Sequence, residues 1–129
     1  MGRGVAPELG GVAPGRALLD AGARCVLATD CNPGTSPVAS IPVIMGLAVR
    51  RYGWSVREAV LAATLNAAWV LGWSRELGSL ERGKRADVLL LDGPVEQLPY
   101  RFGHNPVAAV FAAGEPAWVR PDEAWRLSS

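Results

Sequence analysis

Residues 25 to 36 read Cys25-Val26-Leu27-Ala28-Thr29-Asp30-Cys31-Asn32-Pro33-Gly34-Thr35-Ser36. A short apolar run ends on a carboxylate and breaks into Asn, Pro and Gly, a pattern that predicts a buried strand followed by a tight loop. Side chains alternate along a strand, so Val26 and Ala28 share a face with Asp30, while Cys25, Leu27 and Thr29 take the other. The strand end then gathers an acid, an amide and the hydroxyls of Thr35 and Ser36. In parallel α/β folds ligands bind at that end of a strand, and α/β is the fold class the stretch implies.

Upstream, residues 1 to 13 are rich in Gly and small residues without periodicity, as a loop or frayed start would be. Pro14 to Ala21 fits a short helix stopped at Gly22. Downstream, Ser36-Pro37 allows a helix start and Ser40-Ile41-Pro42 a second, giving a helix from about Ile41 to Tyr52 ended by Gly53, with Val43, Ile44, Leu47 and Ala48 on one face. Arg50 and Arg51 suit its C-terminal dipole. Ser55-Val56-Arg57-Glu58 is a capping box that opens an Ala-rich helix to Leu71, stopped by Gly72, with Val56, Val60, Ala63, Ala67 and Val70 as its buried stripe.

From Gly78 the pattern changes. A turn-rich segment leads to Val88-Leu89-Leu90-Leu91, short enough for a strand, closed by Asp92-Gly93-Pro94. A loop through Tyr100, Phe102 and His104 follows, and Val107 to Ala113 and Ala117 to Val119 flank Gly114-Glu115-Pro116 as a hairpin. The shift from helices to strands implies two layers, an α/β part and a small β part. The tail with Trp125 and Arg126 carries no pattern.

The 129 residues, half of them apolar with a net charge of +1, read as a soluble globular piece about one domain in size. Scattered Lys and Arg give no footprint for nucleic acid or an anionic membrane, so the expected partner is a small molecule or a protein. No apolar stretch reaches the length of a bilayer span, and no basic segment with an apolar h-region opens the chain, which makes the cytoplasm the expected location. Cys25 and Cys31 form neither a CxxC pair nor a disulfide framework and suit a reducing compartment.

An isolated Asp at a strand end reads as a cap or turn residue. Its company adds a second reading: a carboxylate on a rigid strand end can ligate a divalent cation or take a proton from water, while Asn32, Gly34 and Thr35 offer a polar substrate an amide, an approachable backbone and a hydroxyl. One His in the chain cannot supply the imidazoles of a catalytic zinc site. Cys31 points away from the Asp30 face and reads as a pocket-edge residue. His104 reads as a surface or loop-anchoring side chain, Trp54, Trp69 and Trp73 as helix-packing residues, and Asp87 as a group that orders a turn.

Leu27-Ala28-Thr29-Asp30-x-Asn32-Pro33-Gly34-Thr35-Ser36, with Ile44-Met45-x-Leu47-Ala48, Glu58-Ala59-x-x-Ala62-Ala63-Thr64-x-Asn66-Ala67-Ala68 and Gly78-Ser79-Leu80-Glu81-x-Gly83-Lys84-x-Ala86-Asp87, resembles the C-terminal part of the imidazolonepropionase family of metal-dependent amidohydrolases. Leu98-Pro99-Tyr100-x-Phe102-Gly103-x-Asn105 and the terminal hairpin extend the resemblance over about residues 15 to 119. The Gly78 to Asp87 element is general to amidohydrolases, whereas the Asp30 loop points to this member.

The resemblance implies the closing portion of a (β/α)₈ barrel in residues 1–77, C-terminal strands of a small β-sandwich in 78–120 and a tail in 121–129. It implies ring opening of 4-imidazolone-5-propanoate to N-formimidoyl-L-glutamate by metal-activated water in histidine degradation, with one zinc or iron ion. Asp30 resembles the metal-ligating, proton-accepting aspartate of the last barrel strand, and Asn32, Gly34 and Thr35 resemble the substrate loop. The family's His-x-His pair, its later metal-binding His and its remaining pocket residues have no counterpart here. A barrel takes around 250 residues, so the chain is expected to be a fragment, inactive alone, completed by the missing N-terminal part or assembled as a homo-oligomer. Two other readings stand beside this one: a non-catalytic structural or interaction remnant, and an amidohydrolase acting on another cyclic amide or an aminated heterocycle. A remnant would expose an apolar flank.

Overall fold

A computed structural model describes residues 13–101 and 103–122. The expected frayed start, Phe102 and the tail with Trp125 and Arg126 lie, apart from Ala13, Pro121 and Asp122, outside the described residues. Four helices come first, α1 Gly15–Asp20, α2 Ile41–Tyr52, α3 Val56–Ala63 and α4 Leu65–Val70, and three strands follow, β1 Val88–Leu91, β2 Val107–Ala112 and β3 Glu115–Val119. The change from helix to strand after Gly78 is therefore real.

Residues at the helix ends account for where α2 stops and where α3 starts. In α2, Ser40 occupies the N-cap position without a capping bond from its side chain, Pro42 sits in the first turn and Gly53 ends the helix in the left-handed region at φ 67°, a conformation open to glycine at little cost. At α3 the capping box is complete: the Glu58 amide donates to Ser55 Oγ at 3.2 Å and the Ser55 amide donates to Glu58 Oε2 at 2.7 Å. Such a cap is worth about 1 kcal/mol.

The single helix expected from Ser55 to Leu71 is two. Thr64, at φ −124° and ψ −91°, breaks it, and its hydroxyl bonds back to the Val60 carbonyl at 2.7 Å, a local bond that competes with the helical ladder. The buried stripe is also turned from its expected position. Ala59, Ala62 and Ala68 are buried, whereas Val56, Val60, Ala63 and Ala67 are half-buried and Val70 is exposed. Alanines at the contact let helices approach closely, and the larger valines are displaced to its margin. In α2 the same rotation occurs: Met45, Gly46 and Ala48 are buried, Val43 and Ile44 half-buried, and Leu47 exposed.

The core joins Met45, Ala48, Trp54, Ala59 and Ala62, with Leu19, Cys25, Leu27, Ile41 and Leu98 among the side chains packed on it. Arg16 ties α1 to α3 through a two-pronged pair with Glu58, both contacts at 3.0 Å, and Arg50 ties α2 to the Pro99 carbonyl at 2.8 Å. Of the tryptophans expected to pack helices, Trp54 does so; Trp69 and Trp73 are more than half exposed.

The strands form one antiparallel sheet in the order β1-β2-β3. Ala113 and Gly114, at φ 53° and 86°, make the two-residue turn of the β2–β3 hairpin, in keeping with the paired positive φ values of a primed turn. The turn thus lies one residue earlier than expected and Pro116 falls inside β3, an edge strand next to a register shift, where a missing N–H is tolerated. Asp87 orders this turn: its Oδ1 accepts the Ala113 amide at 2.9 Å, and Arg85 beside it, together with that amide, holds its carboxyl below the usual carboxylate range.

The strand expected at Cys25 to Thr29 pairs with no other strand among the described residues. Its face alternation nevertheless holds. Cys25 and Leu27 pack on the core, Thr29 is half-buried, and Arg24, Val26, Ala28 and Asp30 are exposed. Beside it, α1 and α2 leave an apolar groove of about 620 Å³ lined by Leu18, Val26, Leu27, Ile44, Leu47 and Trp54.

Candidate functional site

Asp30 leaves the 24–29 segment at φ 47°, the left-handed region that Asp enters more readily than most side chains. The loop that follows holds that turn. Asn32 Nδ2 donates to the Asp30 carbonyl at 2.7 Å, and Asn32 Oδ1 accepts the amides of Gly34 at 2.9 Å and Thr35 at 2.8 Å. The Thr35 hydroxyl lies 3.3 Å from Asn32 Nδ2 and 3.4 Å from Oδ1. The Asn32 amide also donates to the Ser36 carbonyl at 2.9 Å, and Ser36 Oγ donates to the Thr29 carbonyl at 2.8 Å.

One side chain therefore organises the turn. Asn32 is half-buried with both ends of its amide engaged, which is the local backbone bonding that makes Asn a turn residue. A Cβ on Gly34 would stand 3.3 Å from Asn32 Oδ1, so glycine keeps the loop from crowding its own anchor. Gly34 and Thr35 face solvent, and so does Cys31, whose amide donates to Thr29 Oγ1 at 3.3 Å.

The Asp30 carboxylate takes no hydrogen bond or ion pair from the described residues, and no group of three His, Cys, Asp or Glu that could hold a metal occurs among them. Asp30, Asn32, Gly34 and Thr35 come together through one turn, and among the described residues no acidic, basic or imidazole side chain is hydrogen-bonded or ion-paired to them. His104 is elsewhere: its Nε2 lies 3.2 Å from Asp92 Oδ2, which Arg120 Nη1 also contacts at 2.9 Å. Asp92 is held below its ordinary range by Arg120 first, then by His104. This cluster joins the ends of β1 and β3 to the intervening loop, so His104 anchors a loop.

The turn from Ser79 to Lys84 is also held by its own side chains. The Ser79 hydroxyl donates to Glu81 Oε1 at 2.5 Å, and Lys84 Nζ donates to Ser79 Oγ at 2.6 Å and lies 3.1 Å from Glu81 Oε1; Ser79 first and then Lys84 hold the Glu81 carboxyl below its ordinary range. Two contacts that bear on the site were not read from the sequence. Ser36 clamps the strand end, and Asn66 Nδ2 donates to the Cys25 carbonyl at 2.9 Å. Asn is a poor helix former, and its place in an Ala-rich helix was the available signal.

A family model described as the amidohydrolase family matches residues 10–120. The chain is 52% identical over 102 residues to a Rubrobacter xylanophilus protein named imidazolonepropionase, an alignment covering 78% of this chain and 25% of that protein. Among solved structures it is similar to an amidohydrolase from Thermotoga maritima, with a TM-score of 0.65 and 27% identity over 80% of this chain and 25% of that one. It is also similar to an adenosine deaminase from Xanthomonas campestris with bound zinc, with a TM-score of 0.70 and 26% identity over 86% and 29% of the two chains. The chain spans about a quarter of the length of the curated relatives it matches.

Proposed function

The chain belongs to the amidohydrolase family, and we propose that it supplies one wall of an imidazolonepropionase active site, the rest of which lies in sequence outside these 129 residues. The observation that carries this reading is the 52% identity to a protein of that name. Under it, residues 1–77 are the closing portion of a (β/α)₈ barrel, residues 78–120 strands of a small β-sandwich and 121–129 a tail. The exposed face of Val26, Ala28 and Asp30 is then the side that turns to the barrel interior.

The family and the zinc of the Xanthomonas neighbour support a divalent metal, zinc or iron. The described residues do not by themselves make a site for it. Asp30 fits as one hard oxygen ligand, since its carboxylate is exposed, unpaired and set on a turn held by Asn32 and Ser36. The ion's contribution there is to acidify water. With the ion bound, Asp30 would take the proton that water loses on adding to the ring carbonyl carbon of 4-imidazolone-5-propanoate and return it to the ring nitrogen as the C–N bond breaks, giving N-formimidoyl-L-glutamate. Gly34 presents its backbone to the substrate at close range and Thr35 a hydroxyl, while Asn32 serves the substrate by fixing where both of them stand.

The test joins this chain to the Rubrobacter xylanophilus enzyme in place of the 102 residues it matches. With zinc or iron supplied, the joined enzyme is expected to consume imidazolone propionate and release N-formimidoyl-glutamate. A joined enzyme that folds and binds metal but leaves that substrate untouched, or deaminates an aminated heterocycle instead, would overturn the reading.

A further inference from the structure

The 24–29 segment lacks a strand partner among the described residues, yet its position is set by contacts to α3 and α4. These contacts run in order along it. The Arg24 guanidinium lies 4.2 Å from the centre of the Trp69 ring, the Cys25 carbonyl accepts from Asn66 Nδ2 at 2.9 Å, and the Leu27 amide donates to the Ala62 carbonyl at 3.2 Å. The helical partners descend from 69 through 66 to 62 as the segment ascends.

The break at Thr64 makes this possible. Ala62 lies in the last turn of α3, where carbonyls run short of partners within the helix. Asn66 stands in the first turn of α4, where the redirected chain brings its half-buried amide to the segment. A continuous helix would present these groups in a different relation.

We propose that Asn66 is a positioning residue for Asp30: with the Ala62 carbonyl across the break, its amide fixes the register of the 24–29 segment on α3 and α4, and so the point from which Asp30 projects. Three features assign it that role rather than packing alone. The bond goes to main chain, so it fixes where the backbone lies. The Val26, Ala28 and Asp30 side chains are exposed and make no hydrogen bond to the described residues, so the hydrogen bonds that can set the register come from the helix side. A slip of one residue would also send Asp30 to the helix side. Beyond Leu27 the Ser36 hydroxyl closes the segment at the Thr29 carbonyl, passing the register on to the loop.

This inference rests on Asp30 acting as proposed above, and its test separates the two. Asn66→Asp keeps the shape of the side chain but places an acceptor against the Cys25 carbonyl; Asn66→Ser, smaller and neutral, serves should the first variant fold poorly. In the joined enzyme either variant is expected to lower kcat by about ten- to a hundredfold while KM stays within about threefold, the cost of misplacing a catalytic group by a fraction of an ångström to one ångström. In the 129-residue chain itself, hydrogen exchange at the Leu27 amide should quicken by about tenfold or more. A kcat within twofold of the unsubstituted enzyme, or unchanged Leu27 exchange in the variant chain, would overturn the proposal. An unsubstituted joined enzyme without activity would instead count against the function, and the Leu27 exchange would still decide the clamp.

Discussion

The segment from Arg24 to Ser36 and the sheet from Val88 to Val119 are built on opposite principles. In the sheet, β2 pairs with a strand on each side, Asp87 holds the hairpin turn, and Arg120 and Asp92 tie the strand ends together. The partners are all within about thirty residues of one another in this chain. The 24–36 segment pairs with no strand among the described residues. It is pinned from one side by α3 and α4, closed on itself by Asn32 and Ser36, and left open on the face that carries Asp30. The sheet answers to its own sequence, whereas under the proposed function the 24–36 segment answers to neighbours outside these 129 residues.

Substitutions should break the two regions differently. Asp30→Asn removes an exposed carboxylate that the described fold does not use, so in the joined enzyme we expect kcat to fall on the order of a thousandfold with the melting temperature of the chain unchanged within experimental error. A loss of stability in place of activity would erase the distinction.

Gly78→Ala strikes the joint between the regions. At φ 90°, a Cβ there would lie 2.7 Å from Ala68 Cβ and 2.9 Å from Leu65 Cα, and denaturant titration should show a loss of about 2 to 3 kcal/mol. Thr35→Ala is milder, because Asn32 Oδ1 still holds the loop through the Gly34 and Thr35 amides. We expect KM to rise about three- to tenfold with kcat little altered, as removal of a single substrate hydrogen bond would give.

The smallest effect concerns acid. The Arg16 guanidinium and then the Ser55 amide hold Glu58 at about 2 in place of its ordinary 4.5. A depressed carboxylate contributes stability that is complete above its unfolded value and lost as pH falls through its folded one. The chain should therefore lose stability between about 4.5 and 2, modestly, because Arg16 and Glu58 are partly exposed. Glu58→Gln should flatten that part of the profile, and a slope unaltered by the substitution would count against the pairing.

What the sequence disclosed divides along the same line. Caps and turns are local, so the limits of α2, the capping box at Ser55 and the β2–β3 hairpin were readable from Ser40, Gly53, Glu58 and Gly114. The alternation that puts Asp30 with Val26 and Ala28 was readable too, since it depends only on extended backbone. The break at Thr64 was not, because its hydroxyl competes with the ladder only once tertiary contacts favour the bend. The rotated stripe escaped for a related reason: hydrophobicity favoured the valines, whereas close approach of helices selected Ala59, Ala62 and Ala68. At the site, the residue types of the loop suggested groups offered outward, yet Asn32 spends its amide on the loop itself. Asn66 went unassigned because its partner is a main-chain carbonyl far away in sequence.

The contrast between the regions is most directly measured by amide hydrogen exchange on this chain alone and after it is joined to the remainder of the Rubrobacter xylanophilus enzyme. The account predicts that residues 107–112 of β2 are protected in both states. In the 25–29 segment it predicts protection of Leu27 alone in the separate chain, extending to the neighbouring amides in the joined enzyme. Full protection of 25–29 in the separate chain, or no gain on joining, would contradict it.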